Sequence, residues 1–252
     1  MVHFVGAGSG AVDLITIRGK KLLEEADIII YAGSLVNPEL LEVRKIDCEV
    51  YNSATMTLEQ VMEVMIQGDK ERKMIVRLHT GDPCLYGAIR EQMDLLDENK
   101  IAYEVCPGVS SFCGAAAVLN LEYTLPDVSQ SVIITRMAGR TRVPERETIA
   151  SFAAHQATMV IFLSTGMLEQ LSQQLILGGY DKDTPAAIVY KATWEDEKKF
   201  ICTVATLAQT AEENKITKTA LILVGEVISH GTYSRSELYN PTFSTEYRPA
   251  SK

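Results

Sequence analysis

The residues best suited to chemistry lie in short turns that follow apolar runs. His79-Thr80-Gly81-Asp82-Pro83-Cys84-Leu85-Tyr86-Gly87 sets a carboxylate among residues that shape a loop. Asp82 has two readings there, as an acceptor for a ligand's hydrogen bonds or as a cap on the loop's own amides. His79 reads as a hydrogen-bonded structural residue, and Cys84 has no neighbour that would activate a thiolate. Gly6-Ala7-Gly8-Ser9-Gly10 permits a tight bend and a close backbone approach to a ligand. Its GxGxG spacing departs from the dinucleotide fingerprint. The next strand ends in Tyr31-Ala32-Gly33, without the acid that would hold a ribose. That absence counts against a nicotinamide-dependent oxidoreductase, the main alternative from another enzyme class. Pro107-Gly108-Val109-Ser110-Ser111 offers two hydroxyls at a strand-to-helix turn, for capping or for a ligand's polar edge. Arg136, Arg140, Arg142 and Arg146 crowd into RMAGRTRVPER, either as a solvated face or as a lip for carboxylates. Ser164-Thr165-Gly166-Met167 and Tyr190-Lys191-Ala192-Thr193 are further turns, and Met167 suits a flexible apolar wall.

These turns need elements to hold them. The apolar pattern predicts strands at Val2–Gly6, Ala26–Tyr31, Met74–Leu78 and Ala102–Cys106, with helices at Thr57–Gln67, Ala88–Glu98 and Val109–Leu119. Thr57 and Gln60 fit a capping box, and Leu58, Val61, Met62, Met65 and Ile66 form one apolar stripe. A domain boundary is expected in NLEYTLPDVSQ, residues 120–130, which is polar and aperiodic. This gives a first lobe over 1–120, a second over 121–240 and a tail over 241–252. The second lobe carries strands at Ser131–Arg136, Thr158–Leu163, Ala186–Tyr190, Phe200–Val204 and Ala220–Val224, and helices at Glu145–Ala154, Thr165–Leu177 and Leu207–Asn214. The pair 186–190 and 200–204 has no helix between its members, which predicts an antiparallel hairpin in a mixed sheet. The expected fold is therefore α/β, two lobes with a ligand cleft outside the strand ends.

Charge and composition narrow the function. Against 24 Lys and Arg stand 33 Asp and Glu, a net −9 that argues against a nucleic-acid partner. No run approaches the ~18 apolar residues of a membrane span, so no membrane partner is expected. The opening MVHFVGAGSG lacks the basic region of a signal peptide. The five cysteines have irregular spacing without CxxC or metal-ligand patterns. The expectation is reduced thiols, a cytoplasmic protein and no metal.

Taken together, VGAGSGAVDLITIRG, RLHTGDPCLYGAIREQ and CPGVSS resemble, in order, the motifs of the tetrapyrrole (corrin/porphyrin) methylase family over about residues 2–230. YAGSLVNPEL and TRMAGRTRVPE resemble the branch that methylates carbon 11 of precorrin-4 or cobalt-precorrin-4. The resemblance implies a bilobal homodimer with S-adenosylmethionine, the source of S-adenosylhomocysteine, held in the cleft. It implies cofactor contacts from Thr80, Gly81, Asp82, Leu85, Ser110, Ser111, Met167, Ala192, Thr219, Ala220 and Leu221, many of them through backbone groups. The first loop departs from the family pattern, with Ser9 and Ala11-Val12 where proline and Asp-Pro are common. Tetrapyrrole carboxylates would meet Arg136, Arg140 and Arg142, with Arg90 and Lys191 as second choices. Methyl transfer from a sulfonium demands positioning more than a base, which fits the lack of an evident His–Asp or Ser–His pair and leaves the catalytic residue unassigned. Within the family the alternatives are another corrin carbon, uroporphyrinogen III, ribosomal RNA or the diphthamide precursor protein. Outside it, a non-catalytic cofactor-binding module remains.

Overall fold

The computed structural model describes residues Met1–Ser251 and divides them into two compact units. The first comprises Met1–Ala115 together with Lys191–Glu197; the second comprises Ala116–Tyr190 and the chain from Lys198 onward. The first unit thus ends before the polar stretch expected to divide the chain, and it takes back a short segment from late in the sequence.

In the first unit, β1 (Val2–Gly6), β2 (Ile28–Tyr31), β3 (Glu49–Asn52), β4 (Ile75–His79) and β5 (Tyr103–Cys106) form one sheet in the order β3-β2-β4-β1-β5. Every pairing is parallel. Helix α1 (Ile17–Glu25) joins β1 to β2, α2 (Leu58–Lys70) joins β3 to β4, and α3 (Arg90–Glu98) joins β4 to β5. Helix α4 (Ser111–Leu119) follows β5. The sheet is covered on both faces, which accounts for the continuous apolar runs of its central strands. Val5, Ile29, Val76 and Leu78 pack with Leu23 of α1 on one side. Phe4, Ile28, Ile30 and Ile75 pack with Val61, Met62 and Met65 of α2 on the other.

The Thr57–Gln60 capping box forms in both directions, at 2.9 and 3.3 Å. Thr57→Ala should lower the unfolding free energy by about 1 kcal/mol, read by urea titration, because one N-terminal amide loses its acceptor.

The second unit contains β6 (Val132–Arg136), β7 (Thr158–Phe162), β8 (Pro185–Tyr190), β9 (Lys198–Thr203) and β10 (Ala220–Val224), in the order β6-β7-β10-β8-β9. Only β6 and β7 run parallel; the other neighbours are antiparallel, including the β8–β9 pair. Helices α5 (Ile149–Ala153), α6 (Leu168–Leu177) and α7 (Leu207–Glu213) complete it. Ile149, Leu171, Leu175 and Leu207 cover Met159, Ile161, Ile188 and Ile222 in its core.

Three local differences from the sequence expectation have physical causes. The helix expected at 145–154 is a 3-10 turn, Glu145–Glu147, and then the short α5, because Thr148 Oγ1 accepts from the Ser151 amide and restarts the helix. Helix α1 has no clear signal in the apolar pattern, since Arg18, Lys20, Lys21, Glu24 and Glu25 leave its apolar face narrow. Strand β3 lacks such a signal too, because it lies at the sheet edge and Glu49 and Val50 are exposed. Among the described residues, no helix is long and apolar enough to cross a membrane.

Candidate functional site

In the first unit the carboxyl ends of β4, β1 and β5 lie side by side. The crossovers from β1 and β4 leave toward opposite edges of the sheet, the arrangement in which α/β sheets open a crevice for ligands. Three glycines let the loops meet there. A Cβ on Gly6 would lie 2.6 Å from the Gly108 Cα and 2.6 Å from the Gly81 carbonyl oxygen. Gly8 and Gly81 exchange backbone hydrogen bonds, at 2.9 and 3.2 Å, and both have left-handed φ angles, +84° and +62°.

Asp82 closes this arrangement. One carboxylate oxygen accepts from the Cys84 amide at 2.8 Å within its own loop, and the other accepts from the Gly108 amide at 2.9 Å in the loop after β5. Burial pushes its pKa up, but the hydrogen bonds from Cys84 and Gly108 outweigh that and hold it below the usual carboxylate value. Both of these hydrogen bonds run to amides of the loops themselves. Thr80 differs: its hydroxyl oxygen is shut from solvent and has no hydrogen-bond partner. Leu85 is half-buried in the same loop. Ser110 is buried, and its carbonyl accepts from the Cys113 and Gly114 amides to start α4, whose first residue is Ser111.

His79 is buried at the end of β4, with its Nε2 unpartnered. Burial and the Arg77 charge push its pKa down to about 3, so it is neutral at physiological pH. Hydrogen bonding to Asp82, and then burial, raise the Cys84 thiol, which agrees with an unreactive thiol.

The segment Lys191–Glu197 binds the first glycine loop. Thr193 Oγ1 lies 3.0 Å from the Ser9 hydroxyl and accepts from the Ala11 amide at 3.1 Å, while the Thr193 amide donates to Glu197 Oε2 at 2.6 Å. A Cβ on Gly10 would collide with the Trp194 indole and come within 2.8 Å of the Ala192 carbonyl oxygen. Ser9 and Ala11, the positions that depart from the family pattern, thus use a hydroxyl and an amide to hold this segment. Ala192 is buried. As sequence, Thr193 reads as part of a turn and Trp194 carries no signal of a role. Nothing in their spacing marks a partner so distant in the chain.

In the second unit, Thr165 Oγ1 donates to the Ala220 carbonyl at 3.0 Å, joining the turn after β7 to the start of β10. Thr219 holds a left-handed φ of +60°, and Leu221 is half-buried. Met167 packs against Gly139, where an added Cβ would lie 3.2 Å from its methyl carbon.

The basic candidates are not equivalent. Arg136 donates to the carbonyls of Met137, Thr141 and Arg142 and so folds its own loop. Arg90 pairs with Asp94 and Asp97 on its own helix. Lys191 pairs with Asp196 at 2.6 Å and lies 5.2 Å from the Trp194 ring centroid. Arg140 and Arg142 are exposed, and among the described residues no acid pairs with either guanidinium.

A parallel first sheet with joined glycine bends, followed by a mixed second sheet, defines the class. The chain belongs to the tetrapyrrole (corrin/porphyrin) methylases, whose family model matches residues 1–208. It is similar to the cobalt-precorrin-4 C(11)-methyltransferase of Methanocaldococcus jannaschii, with 52% identity over 251 residues, covering 100% of this chain and 97% of that protein. The precorrin-4 C(11)-methyltransferase of Pseudomonas aeruginosa is 41% identical over 248 residues, covering 98% of each chain. The X-ray structure of a cobalt precorrin-4 methyltransferase superposes with a TM-score of 0.88 at 44% identity, covering 90% of this chain and 95% of that one.

Proposed function

We propose that this protein is an S-adenosylmethionine-dependent methyltransferase acting on carbon 11 of precorrin-4 or cobalt-precorrin-4, and that it works as a cytoplasmic homodimer. The observation that carries the reading is the junction of Gly6, Gly81 and Gly108 beside the unpartnered Thr80 hydroxyl. The absent side chains let these loops pack on one another, which fixes the turn that carries Thr80. The relatives at 52% and 41% identity supply the ring carbon and the substrate class.

The residues present fit the cofactor. Thr80, Gly81 and Leu85, with Ser110, Ser111 and Ala192, would hold it in the first unit. When bound, S-adenosylmethionine supplies an electrophilic methyl group. The chain's task is then to fix the reacting partners, and preset geometry is worth up to roughly 7–11 kcal/mol of barrier. Asp82 sets the loop spacing, and its carboxylate adds a negative charge near a cationic donor. Arg140 and Arg142 are the free cations best suited to the substrate's acetate and propionate groups.

The test is incubation with isotopically labelled S-adenosylmethionine and either metal-free or cobalt-containing precorrin-4, followed by mass spectrometry and carbon NMR. One new methyl on carbon 11 is expected. Transfer to another carbon, or to neither substrate, overturns the reading. Replacing Arg140 and Arg142 together by alanine should raise the tetrapyrrole KM about tenfold, since exposed ion pairs are worth up to ~1 kcal/mol each. The cofactor KM should stay within about twofold by the same reasoning, because these side chains serve the carboxylates. Steady-state kinetics with each substrate varied checks both values.

A further inference from the structure

Arg77 is 7% exposed, and among the described residues no carboxylate lies against it. Burial pushes its pKa down to about 10, so it keeps its charge at neutral pH. A buried cation without a counter-ion is costly, and its hydrogen bonds show where that charge is directed. Its Nε donates to Gln92 Oε1 at 3.1 Å, and its Nη1 donates to the Ile30 carbonyl at 3.2 Å. Gln92, on α3, is also buried, and its Nε2 donates to the Ala88 carbonyl at 2.9 Å. Ala88 ends the Gly-Asp-Pro loop in a left-handed conformation, φ +50°, and Tyr86 holds another, φ +56°. Between them, Gly87 packs so closely on the Pro83 carbonyl that a side chain there would collide with it. Such backbone persists only where its surroundings impose it.

We propose that Arg77 is a positioning residue for the Gly-Asp-Pro loop, acting through Gln92 on the carbonyl of Ala88. Asp82 fixes the near end of the loop to the turn after β5. The Arg77–Gln92 relay fixes the far end to β2 of the sheet, which sets Leu85 between two anchors. The consequence for the ligand rests on the proposed role of this loop in binding S-adenosylmethionine.

Gln92→Glu separates positioning from simple stability. A carboxylate at this position pairs with Arg77, but it has no proton to give the Ala88 carbonyl. Calorimetry with S-adenosylmethionine should show roughly tenfold weaker binding, the worth of one buried hydrogen bond, while the thermal midpoint stays at or above that of the wild type. Arg77→Met should weaken binding to a similar degree. Arg77→Met combined with Gln92→Met should be no worse than the weaker-binding single variant, because the two residues act in series. Hydrogen exchange on the ligand-free proteins should be faster at amides 84–89 in Gln92→Glu than in the wild type. Unchanged exchange there overturns the proposal whether or not the cofactor binds. Wild-type affinity in Gln92→Glu overturns it too, as does affinity lost only in variants whose midpoint falls. If the unmodified protein fails to bind S-adenosylmethionine, the assignment of the loop to that cofactor falls, and the exchange data alone judge the relay.

Discussion

Gly6→Ala should cost the protein about 3 kcal/mol of stability, at the upper end of the usual overpacking penalty, and abolish measurable S-adenosylmethionine binding. The added methyl carbon would stand 2.6 Å from the Gly108 Cα, 2.6 Å from the Gly81 oxygen and 2.7 Å from the Gly108 nitrogen. All three neighbours are backbone, so no rotamer change relieves the contact. The loops after β4 and β5 must separate, and the hydrogen bond from Gly108 to Asp82 lengthens with them. Differential scanning calorimetry should register a fall of roughly 6–12 °C in Tm for a chain of this size. Gly166→Ala is the internal control. No atom lies within 4 Å of the position its Cβ would take, and both stability and binding should match the wild type. Equal behaviour of the two variants would mean that the glycine junction does not control the site.

Asp82→Ala should produce the next largest loss. It removes two hydrogen bonds accepted by an ionised group, each worth about 1.5–3 kcal/mol in mutational comparisons, and it leaves the Gly108 amide without its acceptor. Cofactor affinity should fall by about a hundredfold if ~3 kcal/mol of that loss appears as loop disorder. Isothermal titration calorimetry reads this directly, and a wild-type Kd would remove Asp82 from the site. The pH dependence carries a definite sign. Because the folded pKa of Asp82 is depressed, its contribution is fully present above the unfolded value of 3.8 and is lost as pH falls below it toward the folded value. The stability difference between wild type and Asp82→Ala should therefore narrow as the solution is acidified below about pH 4.

How much of this was legible in the sequence depended on whether the deciding interactions were local. The Thr57–Gln60 cap is written within four residues, and the buried strands announce themselves as unbroken apolar runs. The β8–β9 hairpin could be inferred from the missing helix. Strand β3 and helix α1 escaped because one lies at an edge and the other shows much of its surface to water. At the site, the motif order located the loops, but the partners of individual side chains stayed hidden. Asp82 is joined to Gly108 across 26 positions, Arg77 to Ile30 across 47, and Ser9 to Thr193 across 184. The arginine-rich segment looked uniform as sequence. Only the folded chain separates Arg136, which braces its own loop, from Arg140 and Arg142, which face solvent.

The return of residues 191–197 to the first unit bears on how the chain matures during translation. A ribosome that has released only the first 115 residues has supplied all five strands of the parallel sheet but neither Thr193 nor Trp194. On the nascent polypeptide, Ser9 and the Ala11 amide must rely on water until most of the protein has emerged. A gene cut after codon 115 would likewise encode a fragment lacking those two residues, and its glycine loop would have to be completed in trans.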